Sequence, residues 1–147
     1  ATSRGESQEK WYVLFWLCTL WVGSYHCIAS LSAVEYEMIN TFKLTDDEYA
    51  LYTSIVFGCA GFIALFVPFL IHKMGLYNTN TFASISVTIG HIIFLLGIFY
   101  FANGTLSISS SLVVQYSGRI FIGIGYGIQC ITVFTTVNIW FKDNEWL

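Results

Sequence analysis

Few residues in this chain are of types that do chemistry, and one of them stands apart. Gly118-Arg119-Ile-Phe-Ile-Gly123-Ile-Gly125 sets a single arginine and a run of glycines inside an otherwise uncharged stretch from Leu112 to Ile139. A guanidinium in hydrocarbon costs about 2.5–3.5 kcal/mol at a helix centre. Such a residue is kept where it faces a polar cavity or a partner, so it points to a passage through the membrane. At helical spacing Arg119, Gly123 and Gly127 share one stripe, and Gly123-x-x-x-Gly127 permits close helix approach. A packing stripe does not require an arginine, and Arg119 is therefore read as cavity-facing. His26 lies between Tyr25 and Cys27, and His91 follows Gly90. Intramembrane histidines relay protons or sit as neutral rings bonded to a neighbouring helix.

Other chemistries find no support. Cys18, Cys27, Cys59 and Cys130 form no CxxC pair and have no zinc spacing with histidine, so they read as small packing residues. There is no phosphate loop, nucleophile elbow or paired-carboxylate signature. No enzyme activity, cofactor or metal is expected, and no basic, aromatic-interleaved surface suggests nucleic acid.

The elements that must position these residues follow from composition. Of 147 residues, 56% are hydrophobic, 10% are charged and one is proline. A soluble domain carries about a quarter charged residues, so much of this surface must face lipid. The expected class is an all-α, polytopic membrane bundle. Four spans are drawn at about 11–34, 49–71, 82–101 and 112–139, after a tail over 1–10 and before a loop over 142–147. Each meets the roughly 20 apolar residues a spanning helix needs. The runs are too long, and too apolar on every face, for barrel strands.

The connections agree with these boundaries. Thr45-Asp46-Asp47-Glu48 has the capping-box pattern and should open the second span. His72-Lys73-Met74-Gly75 should close it. Asn103-Gly104-Thr105 is a turn and also an N-glycosylation sequon. Trp11, Tyr12, Trp140 and Phe141 beside Lys10 and Lys142 read as interfacial anchors. A cytoplasmic N-terminus puts Arg4, Lys10, Lys73 and Lys142 inside and only Lys43 outside, as the positive-inside rule favours. Both termini of the segment are then cytoplasmic, with the acidic Glu35–Glu48 loop and Asn103 on the other side. A cleaved signal peptide would need a shorter apolar run and a basic leader, and Glu9 stands in that leader. The chain starts without methionine and stops just after the fourth span, which reads as processed or truncated.

Small residues mark the expected packing faces: Ala83, Gly90 and Gly97 every seven residues in the third span, Gly58, Gly61 and Ala64 in the second, and Gly125 and Gly127 in the fourth.

Arg119-x-x-x-Gly123-x-Gly125 in a fourth helix resembles the fourth-helix motif of the major facilitator superfamily. That superfamily's other signature, Gly-x-x-x-Asp-Arg-x-Gly between the second and third helices, is kept in part by Phe69-Leu70-Ile71-His72-Lys73-Met74-Gly75. His72 stands where the aspartate is expected, and Tyr77 and Asn78 where further basic residues often lie. Gly23-Ser24-Tyr25-x-Cys27, and the run from Gly118 to Trp140-Phe141-Lys142-x-x-Glu145, resemble the lysosomal dipeptide-transporter branch. That branch tends to place an acid where this chain has Gly127. The resemblance implies a transporter of two six-helix halves, of which these spans are the N-terminal portion. It implies that the first and fourth helices line the central cavity, making Tyr25, His26, Arg119, Gly123, Tyr126 and Gln129 the cavity candidates and His91 a packing residue.

The expected function is alternating-access transport of a small organic solute, peptide- or amino-acid-like or an organic anion, as a symporter or uniporter. The membrane would be lysosomal, vacuolar or plasma membrane of a eukaryote. The competing reading is a non-transporting four-helix subunit that docks onto a larger membrane complex. The expected partners are the bilayer, a small-molecule solute, and the remaining helices or a partner subunit.

Overall fold

The computed structural model describes the backbone of residues 2–141 and the side chains of 9–141. The expected loop over 142–147, with Lys142 and Glu145, and the side chain of Arg4 lie outside the described residues. Six helices follow in order: α1 (Thr2–Ala33), α2 (Glu35–Phe42), α3 (Asp46–Ala64), α4 (Val67–Met74), α5 (Leu76–Ala102) and α6 (Ile108–Trp140). Glu9–Ala33, Leu76–Ala102 and Ile108–Trp140 are each long and apolar enough to cross a membrane. Together α3 and α4 meet the same test as a pair bent by 57°.

Local chemistry sets the breaks. Thr45 caps α3: its hydroxyl accepts from Glu48 N, and the Glu48 carboxylate accepts from Thr45 N at 2.8 Å. The second span, drawn as one helix from 49 to 71, starts earlier and is broken. Pro68 sits in the first turn of α4 and has no N–H to offer the carbonyl four residues back. The chain compensates with shorter-range bonds, Phe66 N donating to Ile63 O at 2.9 Å, and turns there. Gly75 ends α4 at φ 81.

Two stretches expected to be irregular are helical. The tail is part of α1 from Thr2 onward. The Glu35–Glu48 loop contains α2, because Met38 and Phe42, one turn apart, bury against Leu31, Leu44, Tyr52 and Phe94. Lys43, in the left-handed region at φ 53, ends that helix. The third and fourth spans, drawn from 82 and 112, extend back to Leu76 and Ile108, where Ser107 caps α6.

The core is a seam between α5 and α6, made of backbone rather than large side chains. Gly97 meets Ser111 and Gln115, Gly90 meets Gly118, and Ala83 meets Gly125. Each helix steps by seven residues in the opposite direction, the signature of an antiparallel pair in heptad register. A Cβ on Gly90 or Gly118 would lie 2.6 Å from a backbone oxygen of the other helix. The Ser111 hydroxyl donates to Gly97 O at 2.7 Å, and that of Ser86 to Phe121 O at 2.9 Å, fixing the register.

A second seam joins α6 to α3 at a different step. Gly123 lies on Val56 and Gly127 on Ala60, each within 2.6 Å of a carbonyl oxygen if a Cβ were added. Tyr52, one turn before Val56, faces Arg119, one turn before Gly123. Helix α1 is peripheral, with only 11% of its most apolar window buried against 44% for α6. It turns Ser24, Ile28 and Leu31 inward.

Candidate functional site

Arg119 is among the most deeply buried side chains, 1% exposed at the meeting of both seams. Its guanidinium carbon lies 4.4 Å from the centroid of the Phe94 ring and 6.0 Å from that of Tyr52. At such distances an aromatic face attracts a cation by roughly 2 kcal/mol when both are desolvated. Nε and Nη1 make no hydrogen bond among the described residues. The cation is thus held by rings, with the three N–H groups of these two nitrogens unfilled among the described residues.

The polar groups around it are directed elsewhere. Tyr52 OH donates to Gln115 Oε1 at 2.8 Å, Gln115 Nε2 donates to Ser111 Oγ at 2.8 Å, and Ser111 donates to the Gly97 carbonyl. This chain crosses from α3 through α6 to α5, and its bonds all run one way. With the Phe42 and Phe101 rings 4.6 Å apart and tilted by 36°, it closes the end of the bundle beneath α2. His91 lies beside Phe94, rings 6.4 Å apart and 29° from parallel, and its Nδ1 is buried without a partner among the described residues.

The opposite end is open. A cavity of about 800 Å³ lies between the stretch of α1 from Tyr12 to Cys27 and the first half of α5, with Gln129 of α6 also in its lining. Asn80, Ser84 and Thr88 line it, one helical turn apart, facing Tyr12, Trp16 and Leu20. Gln129 Nε2 donates to Ser84 Oγ at 3.1 Å, and Thr132 donates to Asn80 Oδ1 at 3.0 Å.

The six cavity candidates from the sequence do not converge here. Gln129 lines the cavity, but Arg119 is enclosed apart from it. Tyr25 and His26 are exposed, because α1 presents Ser24 and Ile28 to the bundle and these two lie on its other side. Gly123 is a helix-crossing residue against Val56 rather than a lining residue. Tyr126 packs in an aromatic cluster between Trp21 and Phe57, at 6.5 and 6.2 Å.

Of the packing glycines, Gly90, Gly97, Gly125 and Gly127 lie at helix contacts. A Cβ on Gly58 or Gly61 would meet nothing within 4 Å among the described residues, since α3 packs through Tyr52, Val56 and Ala60. Asn103 is exposed at the C-terminal end of α5. Among the described residues no cluster of His, Cys, Asp or Glu has the makings of a metal site.

Sequence reasoning missed Tyr52, Phe94 and Gln115, whose roles depend on which helices meet. It also missed the Asn80, Ser84, Thr88 stripe, whose four-residue spacing was there to be read. No family model, curated protein or solved structure matches the chain.

Proposed function

We propose that this chain is the N-terminal, four-span portion of a membrane solute transporter that works by alternating access. The observation that carries the reading is Arg119: a permanent charge buried in a membrane bundle, with no ion-pair partner among the described residues and the N–H groups of two nitrogens unfilled. A guanidinium needed only for stability is normally paired, since an uncompensated buried charge costs several kcal/mol. Unfilled donors in a dry site suit an anionic group that arrives during the transport cycle. Rings at 4.4 and 6.0 Å hold the cation meanwhile without neutralising it. The solute class is a small organic anion or a neutral peptide- or amino-acid-like molecule, in a eukaryotic lysosomal, vacuolar or plasma membrane with both ends of the segment cytoplasmic.

Liposome uptake by the full polypeptide that carries these residues tests the reading. Arg119→Leu should abolish uptake while leaving abundance near wild type. Arg119→Lys, which keeps the charge but lacks the planar fork, should rescue it only partly. Normal uptake by Arg119→Leu would make this a structural residue.

A second reading has its own observation. The open face of α3 at Gly58 and Gly61 would let another helix approach closely. A four-helix subunit docked onto a larger complex would use that face, and Gly58→Leu would then release it from the complex.

A further inference from the structure

The closed end of the bundle is covered by the short helix α2, and its attachment differs from that of its frame. The outer face of α2 carries Glu35, Glu37 and Asn40, all exposed, and its inner face carries the buried Met38 and Phe42. These two side chains pack in one cluster with Leu31, Leu44, Tyr52 and Phe94. Tyr52 and Phe94 are in turn the rings that face the Arg119 guanidinium. Among the described residues no side chain of α2 hydrogen-bonds to another element, and Asn40 donates within the helix to Tyr36 O at 2.9 Å. Apolar contact holds the helix down.

The frame is pinned by hydrogen bonds. Tyr49 OH donates to Leu31 O at 2.9 Å and ties the end of α1 to the first turn of α3. Tyr116 OH donates to Glu48 O at 3.2 Å and ties that same turn to α6. Residues 32–48 therefore form a loop closed at its base, with α2 in its middle. Val34 gives one end of α2 no side-chain cap, and Lys43 at the other stands in the left-handed region at φ 53. Hinges are a few element-terminal residues of this kind, which absorb the change in φ and ψ. Alternating access requires the closed end to open, and lifting α2 would uncover it without parting α1, α3 and α6. On the reading of Arg119 as the seat of an arriving anion, we propose that α2 is a flap. It lifts on Val34 and Lys43 and lets the anion reach Arg119 past Tyr52 and Phe94.

Thiol labelling tests this in the full polypeptide in nanodiscs, with its native cysteines replaced by serine. Met38→Cys puts a thiol on the underside of α2, and Ser86→Cys puts one in the buried α5–α6 seam. An impermeant thiosulfonate reagent bearing a sulfonate should modify position 38 faster than position 86 by roughly tenfold or more, because a flap opens locally and the seam does not. Phe42→Ala removes the larger of the two side chains that hold α2. It should raise the rate at 38 by roughly tenfold or more and leave 86 unchanged. Phe42→Leu, a smaller loss, carries the comparison if Phe42→Ala does not fold. Equal rates at 38 and 86, or rates that rise together in these variants, would overturn the flap.

Tyr52→Cys reads the passage beneath it. Relative to their rates with a free thiol, the sulfonate reagent should outpace a trimethylammonium one at position 52 by about tenfold, because Arg119 attracts the anion and repels the cation. Arg119→Leu should abolish that preference. A position 52 that stays unmodified while position 38 reacts would also overturn the proposal. Modification at 52 without charge preference would uphold the flap and overturn the reading of Arg119 as an anion seat, so the two failures are separable.

Discussion

Arg119 poses the sharpest question a single residue can pose here: whether it is present for stability or for something else. The unfilled N–H groups on two of its nitrogens mean that the fold would do better without it. An unsatisfied buried donor costs about 1–3 kcal/mol, against a ring attraction of roughly 2 kcal/mol. Arg119→Met, of similar length and apolar, should therefore unfold at the wild-type temperature or above it, measured by thermal unfolding in detergent. A fall of several degrees would mean the guanidinium has a stabilising partner. Tyr52→Phe behaves oppositely. It removes the hydroxyl that donates to Gln115 Oε1 and strands that oxygen beneath α2, so the same assay should register a loss of about 1–3 kcal/mol.

Among the elements, the two seams make contrasting demands on glycine. Gly118→Ala would drive a Cβ to 2.6 Å from Gly90 O and 2.7 Å from Phe94 N, both backbone atoms that no rotamer change can move. Overpacking of this kind costs about 1–3 kcal/mol. Gly58→Ala meets open space within the chain and should stabilise α3 by up to about 1 kcal/mol through helix propensity. A thermal-shift comparison of the two variants checks the assignment, and similar losses in both would mean that α3 packs on something at Gly58.

The seams also explain what was legible in the sequence. The heptad of Ala83, Gly90 and Gly97 was visible, because seven-residue repeats of small residues have few other causes. Its partner row of Ser111, Gly118 and Gly125 was harder to see beside the more conspicuous Arg119, Gly123, Gly127 stripe. Gly58 and Gly61 find no partner helix among the described residues, because a glycine pair shows that two backbones could approach, not which helix comes. The capping box at Thr45 is wholly local, and so its place was readable. The break before Pro68 was local too, but the apolar run across it concealed it. Tyr25 and His26 were nominated by resemblance, and which side of α1 faces the bundle is decided by tertiary packing alone.

At the scale of the whole molecule, one end is closed by aromatic packing and a directed hydrogen-bond chain, and the other is open between α1 and α5. If both termini are cytoplasmic, the open end, where α1 and α5 begin and α6 ends, faces the cytoplasm, and Asn103 lies on the far side. Expression in a glycosylating host should then give a glycosidase-sensitive mass shift that Asn103→Gln abolishes. An N-terminal tag reachable only from the lumen would reverse the orientation.

The short turn between Ala102 and Ile108 has a consequence for biogenesis. Because α5 and α6 meet backbone to backbone along their length, they can leave the translocon as one hairpin, and Phe94 travels with Arg119. The arginine is then shielded from lipid by a ring of the preceding helix before α3 docks. Insertion of α6 should accordingly depend on α5: in a glycosylation-reporter assay, α6 alone should insert poorly, and α5 with α6 well. Phe94→Ala should lower insertion of the pair. Full insertion of α6 on its own would mean that the charge crosses unaided.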